Sequence, residues 1–330
     1  MATTNSTIEK IAPMFTDLLI KKIECLKTDW QKPWIASLEQ GLPRNIRGTL
    51  YNGGNVLMLL FYTEFMKFTL PVFLTFNQAK EEDLSVCKGA RSFPVYYWFK
   101  FVVHKETKKT IKYEEYRKLP ATEQENYKVI PQMKYYNVFN IDQTDMPQTQ
   151  PERYARLTEH RRPEDHSDGL RCEALDRLVE RQEWVCPIEL KYSAEAFFSP
   201  SLDRIVCPLK SQFPEGAAFY GTLLHEMTHS TGVKERLGRS FGIRPGDEKY
   251  AREELVAEFT AALCGATLGF ATAPRDENAA YLKHWLGALR QEPVYLFDIL
   301  VDVNRAARMI FEHLREDMDA AAEEPAAAAA

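Results

Sequence analysis

The chain has no Cys-x-x-Cys pair, no unbroken apolar run long enough to cross a bilayer, and only seven histidines in 330 residues. Each shortage narrows what it can be. Its six cysteines, Cys25, Cys87, Cys172, Cys186, Cys207 and Cys264, are scattered. That spacing argues against a thiolate zinc cluster and fits free thiols in a reducing cytoplasm. The least polar stretch, residues 259–272, is too short and too rich in Ala and Gly for a membrane span and suits a buried helix. Residues 1–10 are polar and no apolar segment with a cleavage site follows, so the expected location is the cytoplasm and no membrane partner is expected. With 45% hydrophobic and 27% charged residues the composition is that of folded protein, and the length accommodates two domains, each with a core.

The few histidines are unevenly used. Two stand four apart in His225-Glu226-Met227-Thr228-His229, an H-E-x-x-H motif inside a stretch of helical character, residues 217–231. At that spacing both imidazoles project from one helix face and reach a single ion. Glu226 is then beside a metal-bound water and suited to take its proton, the core of zinc peptidase chemistry. Composition alone yields such a motif in on the order of one chain in a hundred, so accident is a weak explanation. Two solvated histidines on a surface helix would be another. Against it stand Phe219, Leu223, Leu224 and Met227, an apolar stripe that must pack on a neighbour. Thr231-Gly232 supplies the stop. His160 and His166, in a segment rich in Pro and charge, read as solvated.

Zinc needs a third protein ligand and an open position. Three glutamates compete. Glu254 and Glu258 lie four apart on the next long helix, residues 248–270, beside an apolar face of Leu255, Phe259, Ala262 and Leu263. Carboxylates that border a buried face are usually paired or metal-bound. In the preferred reading Glu254 completes the site, and Glu258 accepts a hydrogen bond from a ligand histidine and sets its tautomer. Glu258 is itself a second candidate ligand. Glu235, after the Gly232 turn, is a third, although it stands between Lys234 and Arg236, where solvent-facing carboxylates are common. Tyr220, Tyr250 and His284 are candidates to stabilise an oxyanion, and nothing in the sequence chooses among them.

Charge is uneven too. Residues 1–150 carry 20 Lys and Arg against 16 Asp and Glu, and the remainder 22 against 31. A mildly basic, aromatic-rich half joined to an acidic half suggests two tasks, but so small an excess does not establish nucleic-acid binding. The first half reads as helices over 8–26 and 56–68, a glycine-bearing turn over 45–54, and a helix opened by Thr75 as N-cap. A strand over 94–103 finds its partner at 134–140, with 104–127 a charged excursion between them. In the second half a helix over 170–184 precedes strands at 188–192, 196–199 and 204–207, the last expected to hold a substrate as an added strand. Helices at 281–289 and 295–314 follow the two site helices. The expected fold class is α+β in two domains, 1–145 and 170–316, with a linker at 146–169 and a low-complexity tail at 317–330.

Several ordered segments carry a resemblance. In the first half they are Trp30-x-x-Pro33-Trp34, Gly41-x-Pro43-x-Asn45, Tyr51-Asn52-Gly53-x-Asn55, Leu74-Thr75-Phe76-x-Gln78-Ala79, Val86-x-Lys88-Gly89 and Tyr136-Asn137-Val138-Phe139-Asn140. In the second they are Leu224-His225-Glu226-x-x-His229-x-Thr231-Gly232 and Tyr250-Ala251-x-Glu253-Glu254-Leu255-Val256-Ala257-Glu258. So ordered, they resemble antirestriction proteins of the ArdC type, carried by plasmids and phages. The resemblance implies an N-terminal α+β domain that binds single-stranded DNA and a C-terminal zincin-like metallopeptidase domain with one Zn²⁺ per chain. It also implies protection of incoming DNA from the recipient's restriction enzymes.

For single strands the chemistry is basic grooves with aromatic platforms. Trp30, Trp34, Tyr51, Tyr96 and Trp98 are the platform candidates, Arg44, Arg47, Lys88 and Arg91 the phosphate candidates, and Asn55 a further contact. Gly53, Gly54 and Gly89 would let backbone approach the strand. Tyr96 and Trp98 share one face of a strand, where aromatics are more often core. Two other readings stay open: a DNA-coating protein whose zinc is structural, and a metallopeptidase whose first half recognises a protein. The peptidase substrate, a host restriction enzyme or another protein, is not named by the sequence.

Overall fold

Apolar residues at helical spacing, Ile11, Phe15, Leu18, Leu19, Ile23 and Leu26, bury one side of the opening helix α1 (Thr4–Leu26). The structure, a computed structural model, describes residues 4–26, 33–35, 38, 41–158, 169–240, 247–274 and 281–314. After β1 (Arg44–Asn45), helix α2 (Gly54–Met66) is apolar on all sides and is buried from Gly54 to Thr63, as such a helix must be. Then follow β2 (Val72–Leu74) and α3 (Phe76–Glu81), which Thr75 opens with a capping box closed by Gln78.

The longest strands are β3 (Phe93–His104) and β5 (Tyr127–Asn140), with β4 (Thr110–Ile111), α4 (Tyr113–Lys118) and α5 (Ala121–Gln124) between them. β3 and β5 pair antiparallel from Phe93 opposite Val138 to His104 opposite Tyr127, so the ladder runs further than the apolar pattern at 134–140 foretold. The sheet order is β1-β2-β5-β3-β4. The near end of β3 is covered, with Phe93, Val95 and Tyr96 buried; from Tyr97 to Phe101 half-buried and exposed positions alternate, and Val102 is buried again.

Part of the expected linker is folded. Residues 146–158 form α6 (Met146–Thr149) and α7 (Pro151–Thr158), held by buried Met146, by Tyr154 donating to Asp142 (2.8 Å) and by Arg153 paired with Glu82 (2.8 Å). The chain reads as linker there because both helices are short, α6 holds a proline and α7 is charged, and one anchor, Glu82, is far off in sequence. His160 and His166 lie outside the described residues.

The second half begins with α8 (Glu173–Arg181) and a three-stranded sheet of β6 (Ile188–Lys191), β7 (Phe197–Ser199) and β8 (Arg204–Pro208), in the order β6-β8-β7. β8 is therefore the central strand, and its pairing on both sides leaves no edge for an added strand. Helices α9 (Gly216–Thr231), α10 (Glu248–Leu268), α11 (Leu282–Gln291) and α12 (Tyr295–His313) complete the described chain. Gly269, left-handed at φ 91°, ends α10.

One principal core runs through both halves instead of two separate ones. Phe15 of α1 touches Phe93, Tyr96 and, on α12, Phe297; Trp34 meets Phe259 of α10 edge-on at 5.1 Å. A smaller cluster around Ile46, Leu70, Leu74, Ile141 and Met146 lies apart from it. Among the described residues no helix is long and apolar enough to cross a membrane.

Candidate metal centre and aromatic groove

Helix α9 carries His225 and His229 one turn apart, and α10 packs across it with Glu254 opposite. The two Nε2 atoms stand 3.1 Å apart, and the Glu254 carboxylate oxygens lie 3.3 Å from His225 Nε2 and 3.5 Å from His229 Nε2. Ligands about 2.0–2.1 Å from a zinc ion at the centre of a tetrahedron stand about 3.3–3.4 Å from one another. These separations, the two from Glu254 made by different carboxylate oxygens, lie close to such edges, so the donor set fits a divalent metal, and it is the one such group among the described residues.

Behind each histidine stands a carboxylate. Glu253 Oε1 is 3.2 Å from His229 Nδ1, and Glu258 Oε1 is 3.7 Å from His225 Nδ1. Acids on the rear nitrogens favour the tautomer whose Nε2 lone pair faces the shared centre. Glu253 is gripped by the buried Arg239, through Nε to Oε2 (2.9 Å) and Nη2 to Oε1 (2.7 Å). The same guanidinium donates to Thr231 Oγ1 and to the Thr228 carbonyl. Burial opposes ionisation of Glu253, yet the Arg239 and His229 hydrogen bonds hold it below the usual carboxylate range. Burial likewise opposes charge on His229, but Glu254, then Glu253 and Glu226, push it up to about 9. The site favours a cation.

Sequence reasoning missed Glu253 and Arg239. The adjacent pair Glu253-Glu254 was a legible signal, since two acids on one buried helix each need a partner; nothing marked Arg239. Glu226 is buried on α9 at 2% exposure, while Glu235 is exposed beyond the end of that helix. Of the three oxyanion candidates, Tyr220 is spent elsewhere: its hydroxyl bonds Asp176 (2.8 Å), Lys210 (2.7 Å) and the Cys172 amide (2.9 Å). Tyr250 is half-buried, and its hydroxyl hydrogen-bonds Glu254 and Tyr281; burial first, then the Glu254 charge, raises its pKa. The side chain of His284 lies outside the described residues. β7, the antiparallel edge strand, packs against α9.

The nucleic-acid candidates divide sharply. Trp30 lies outside the described residues. Trp34 is a correction: it is wholly buried and donates its indole N–H to Glu258 (2.8 Å), so it has no face to offer a base. Tyr96 lies buried against Phe15 and Phe297, and the buried Asn55 side chain exchanges hydrogen bonds with the Tyr96 main chain (2.7 and 3.1 Å), pinning α2 to β3. A side chain at Gly53 or Gly54 would collide with protein, although Gly54 also lines the groove that Trp98 borders. A Cβ on Gly53 would stand 2.6 Å from Asn304 Oδ1, and one on Gly54 would stand 2.6 Å from Tyr96 Oη. Lys88 and Arg91 are exposed around Gly89, whose φ is +84°; Arg47 is exposed and paired with Glu81 (2.5 Å), and Arg44 is half-buried.

Trp98 remains open, at 43% exposure. It borders a groove of about 1140 Å³ between the uncovered part of β3 and the loop before α2, which Tyr51 and Asn55 also line. Tyr97, Phe99, Lys100, Lys112, Tyr113 and Tyr136, none of them anticipated, form much of its wall. Lys100 Nζ lies 4.1 Å from the Tyr113 ring centroid and donates to its hydroxyl (2.7 Å). Arg44, Arg47, Lys88 and Arg91 are not part of this wall.

Both halves match known families. Residues 9–139 match the N-terminal domain of anti-restriction factor ArdC, and residues 173–299 match a zincin-like metallopeptidase. The chain is of the ArdC type. The crystal structure of the antirestriction ArdC protein from the R388 plasmid, metal-free, has a TM-score of 0.65 to it at 29% identity, covering 92% of this chain and 97% of that one. The Mn(II)-bound structure of the same protein gives 0.64 at 28% identity, covering 93% and 99%. An uncharacterized protein y4eC of Sinorhizobium fredii is 28% identical over 89% of each chain. Two DNA primases TraC of Escherichia coli are 28% and 30% identical over 87% of this chain, but it spans only 26% and 19% of their length. In this ArdC-type chain the three ligand candidates fall within the zincin-like match, whereas Trp34, which touches their surroundings, falls within the ArdC N-terminal match.

Proposed function

We propose that this chain binds single-stranded DNA along the aromatic groove of its first half and holds zinc on His225, His229 and Glu254 for peptide hydrolysis. Its task in this reading is to protect a mobile element's incoming DNA from restriction, in the cytoplasm where restriction acts. The working units are residues 1–145 and 170–316. The observation that carries the proposal is the convergence of the two Nε2 atoms, 3.1 Å apart, with the Glu254 carboxylate, whose two oxygens lie 3.3 and 3.5 Å from them, and with a carboxylate behind each histidine.

Bound zinc supplies a Lewis acid and lowers the pKa of water. The remaining work falls to the chain's own groups. Glu226 takes the proton of the attacking water on its carboxylate and returns it to the departing amine. Tyr250, whose hydroxyl bonds the candidate ligand Glu254, turns that O–H from Glu254 to the carbonyl oxygen as charge develops there. The free edge of β7 receives the substrate as an added strand; that substrate is a host restriction enzyme or another protein. Support for the DNA role comes from the groove, where the consecutive aromatics Tyr97, Trp98 and Phe99 are followed by Lys100. Stacked bases contribute about 1–3 kcal/mol each on such rings.

The deciding experiment compares wild type with Glu226→Gln for zinc content, binding to single- and double-stranded oligonucleotides, and protection from restriction in cells. Lost protection with binding and zinc intact supports hydrolysis. Unchanged protection would mean that the metal is structural and the protein acts as a coat. Absence of salt-dependent oligonucleotide binding would assign the first half to protein recognition.

A further inference from the structure

The two histidines are backed from different sources. Glu253, behind His229, is oriented by Arg239, a neighbour from the same half of the chain. Glu258, behind His225, receives the indole N–H of Trp34, 224 residues earlier, at 2.8 Å. Trp34 is built into this position. Its main-chain N–H donates to the Thr272 carbonyl beyond α10 (3.0 Å), and its ring packs edge-on against Phe259 at 5.1 Å and lies 6.4 Å from Phe61 of α2. Trp34 and Glu258 are both buried, at 0% and 2% exposure.

We propose that Trp34 is a positioning residue of the metal centre, through which the N-terminal half sets the metal affinity of the C-terminal half. An indole nitrogen only donates, so it can engage one oxygen of Glu258 and leave the other turned to His225 Nδ1. A buried carboxylate deprived of such a donor rotates toward whatever donor it can reach, because desolvation makes the loss expensive. His225 then loses the carboxylate that stands 3.7 Å from its Nδ1 and whose charge favours the tautomer protonated on that side. Outer-sphere losses of this kind weaken metal binding by about 10–100-fold. The zincin-like half is accordingly not self-sufficient as a metal site: part of its scaffold comes from the half assigned to DNA.

This inference rests on the reading that His225, His229 and Glu254 bind zinc, and the test separates the two. Zinc affinity is measured on the full chain by competition with a chromophoric chelator. The proteins are wild type, Trp34→Phe, Glu258→Gln, the double variant, and Phe61→Leu as a packing control that leaves Glu258 untouched. A further protein carries benzothienylalanine at position 34, which keeps the indole shape but replaces the N–H by sulfur, so that a folding failure of Trp34→Phe does not block the answer. The expected result is a roughly tenfold loss for both position-34 variants, no loss for Phe61→Leu, and no added loss from Trp34→Phe once Glu258 is Gln. Zinc affinity within twofold of wild type for the benzothienylalanine protein overturns the proposal, as does an undiminished Trp34 effect in the Glu258→Gln background. A wild type that binds no zinc overturns the metal reading and this inference with it.

Discussion

Arg239→Met should cost the metal-free protein about 5–6 kcal/mol at pH 7, and about 3 kcal/mol at pH 5. The guanidinium is 2% exposed and makes four buried hydrogen bonds, two to Glu253, one to Thr231 Oγ1 and one to the Thr228 carbonyl. Methionine keeps the apolar stem and removes the donors, leaving a carboxylate at 4% exposure without its counter-ion. Breaking one side of a buried pair costs roughly 3–5 kcal/mol. Glu253 has an escape, which is to take up a proton. From an ordinary glutamate pKa of about 4.3, protonation at pH 7 costs about 3.7 kcal/mol, and at pH 5 only about 1 kcal/mol. The two neutral acceptors add about 1 kcal/mol each at either pH. The sign agrees with linkage: Glu253 is held below its ordinary value in the folded state, so its contribution is present above the unfolded pKa and disappears as pH falls through the folded one. The assay is urea unfolding with chelator present, wild type against variant, at pH 7 and pH 5. A loss below 1 kcal/mol at pH 7, or an equal loss at both pH values, would refute the reasoning.

Other consequences can be checked in the same preparations. Glu254→Gln should weaken zinc binding beyond the roughly 10–100-fold of an outer-sphere loss, whereas Glu235→Gln should leave it unchanged; equal effects in a metal titration would undo the ligand assignment. Trp98→Ala should reduce binding of a short single-stranded oligonucleotide by about 1–3 kcal/mol in fluorescence anisotropy, and Lys100→Ala should flatten the log–log salt slope by about 0.7; a variant pair indistinguishable from wild type moves the DNA site elsewhere. Because His229 is pushed up to about 9, it stabilises the metal-free protein fully below about pH 6.5, and that contribution is lost as pH rises through about 9. Thermal melts of wild type and His229→Gln with chelator should therefore converge between pH 7 and pH 10, and a constant gap contradicts the shift. Gly54→Ala drives a Cβ to 2.6 Å from Tyr96 Oη and should destabilise by about 1–3 kcal/mol; an unchanged melting temperature would show that α12 and β3 yield readily.

Much of this molecule was legible before any coordinates. The H-E-x-x-H spacing required both imidazoles on one helix face, and the apolar stripe of Phe219, Leu223, Leu224 and Met227 required that helix to pack, as it does. Helices α1, α2, α9, α10 and α12 and strands β3 and β8 fall within a few residues of their sequence patterns, because each is marked locally, by a helical period as in α1 and α12 or by a sustained apolar run as in α2 and β8. Short α6 and short, charged α7 were missed, since neither shows a sustained period and the anchor at Glu82 is distant along the chain.

Only the tertiary structure decided which partner each side chain meets. Glu254 and Glu258 are one helical turn apart and alike in sequence; the crossing of α10 over α9 brings Glu254 to the Nε2 pair and sets Glu258 behind His225 Nδ1. Trp34 and Trp98 are both platform candidates on paper, and for Trp98 the core is the favoured place. The first is covered by α2 and α10, and the second projects from the part of β3 that nothing covers. Local sequence sets the period, and hence which residues share a face. Whether that face meets water, a base, a metal or a core depends on elements hundreds of residues away.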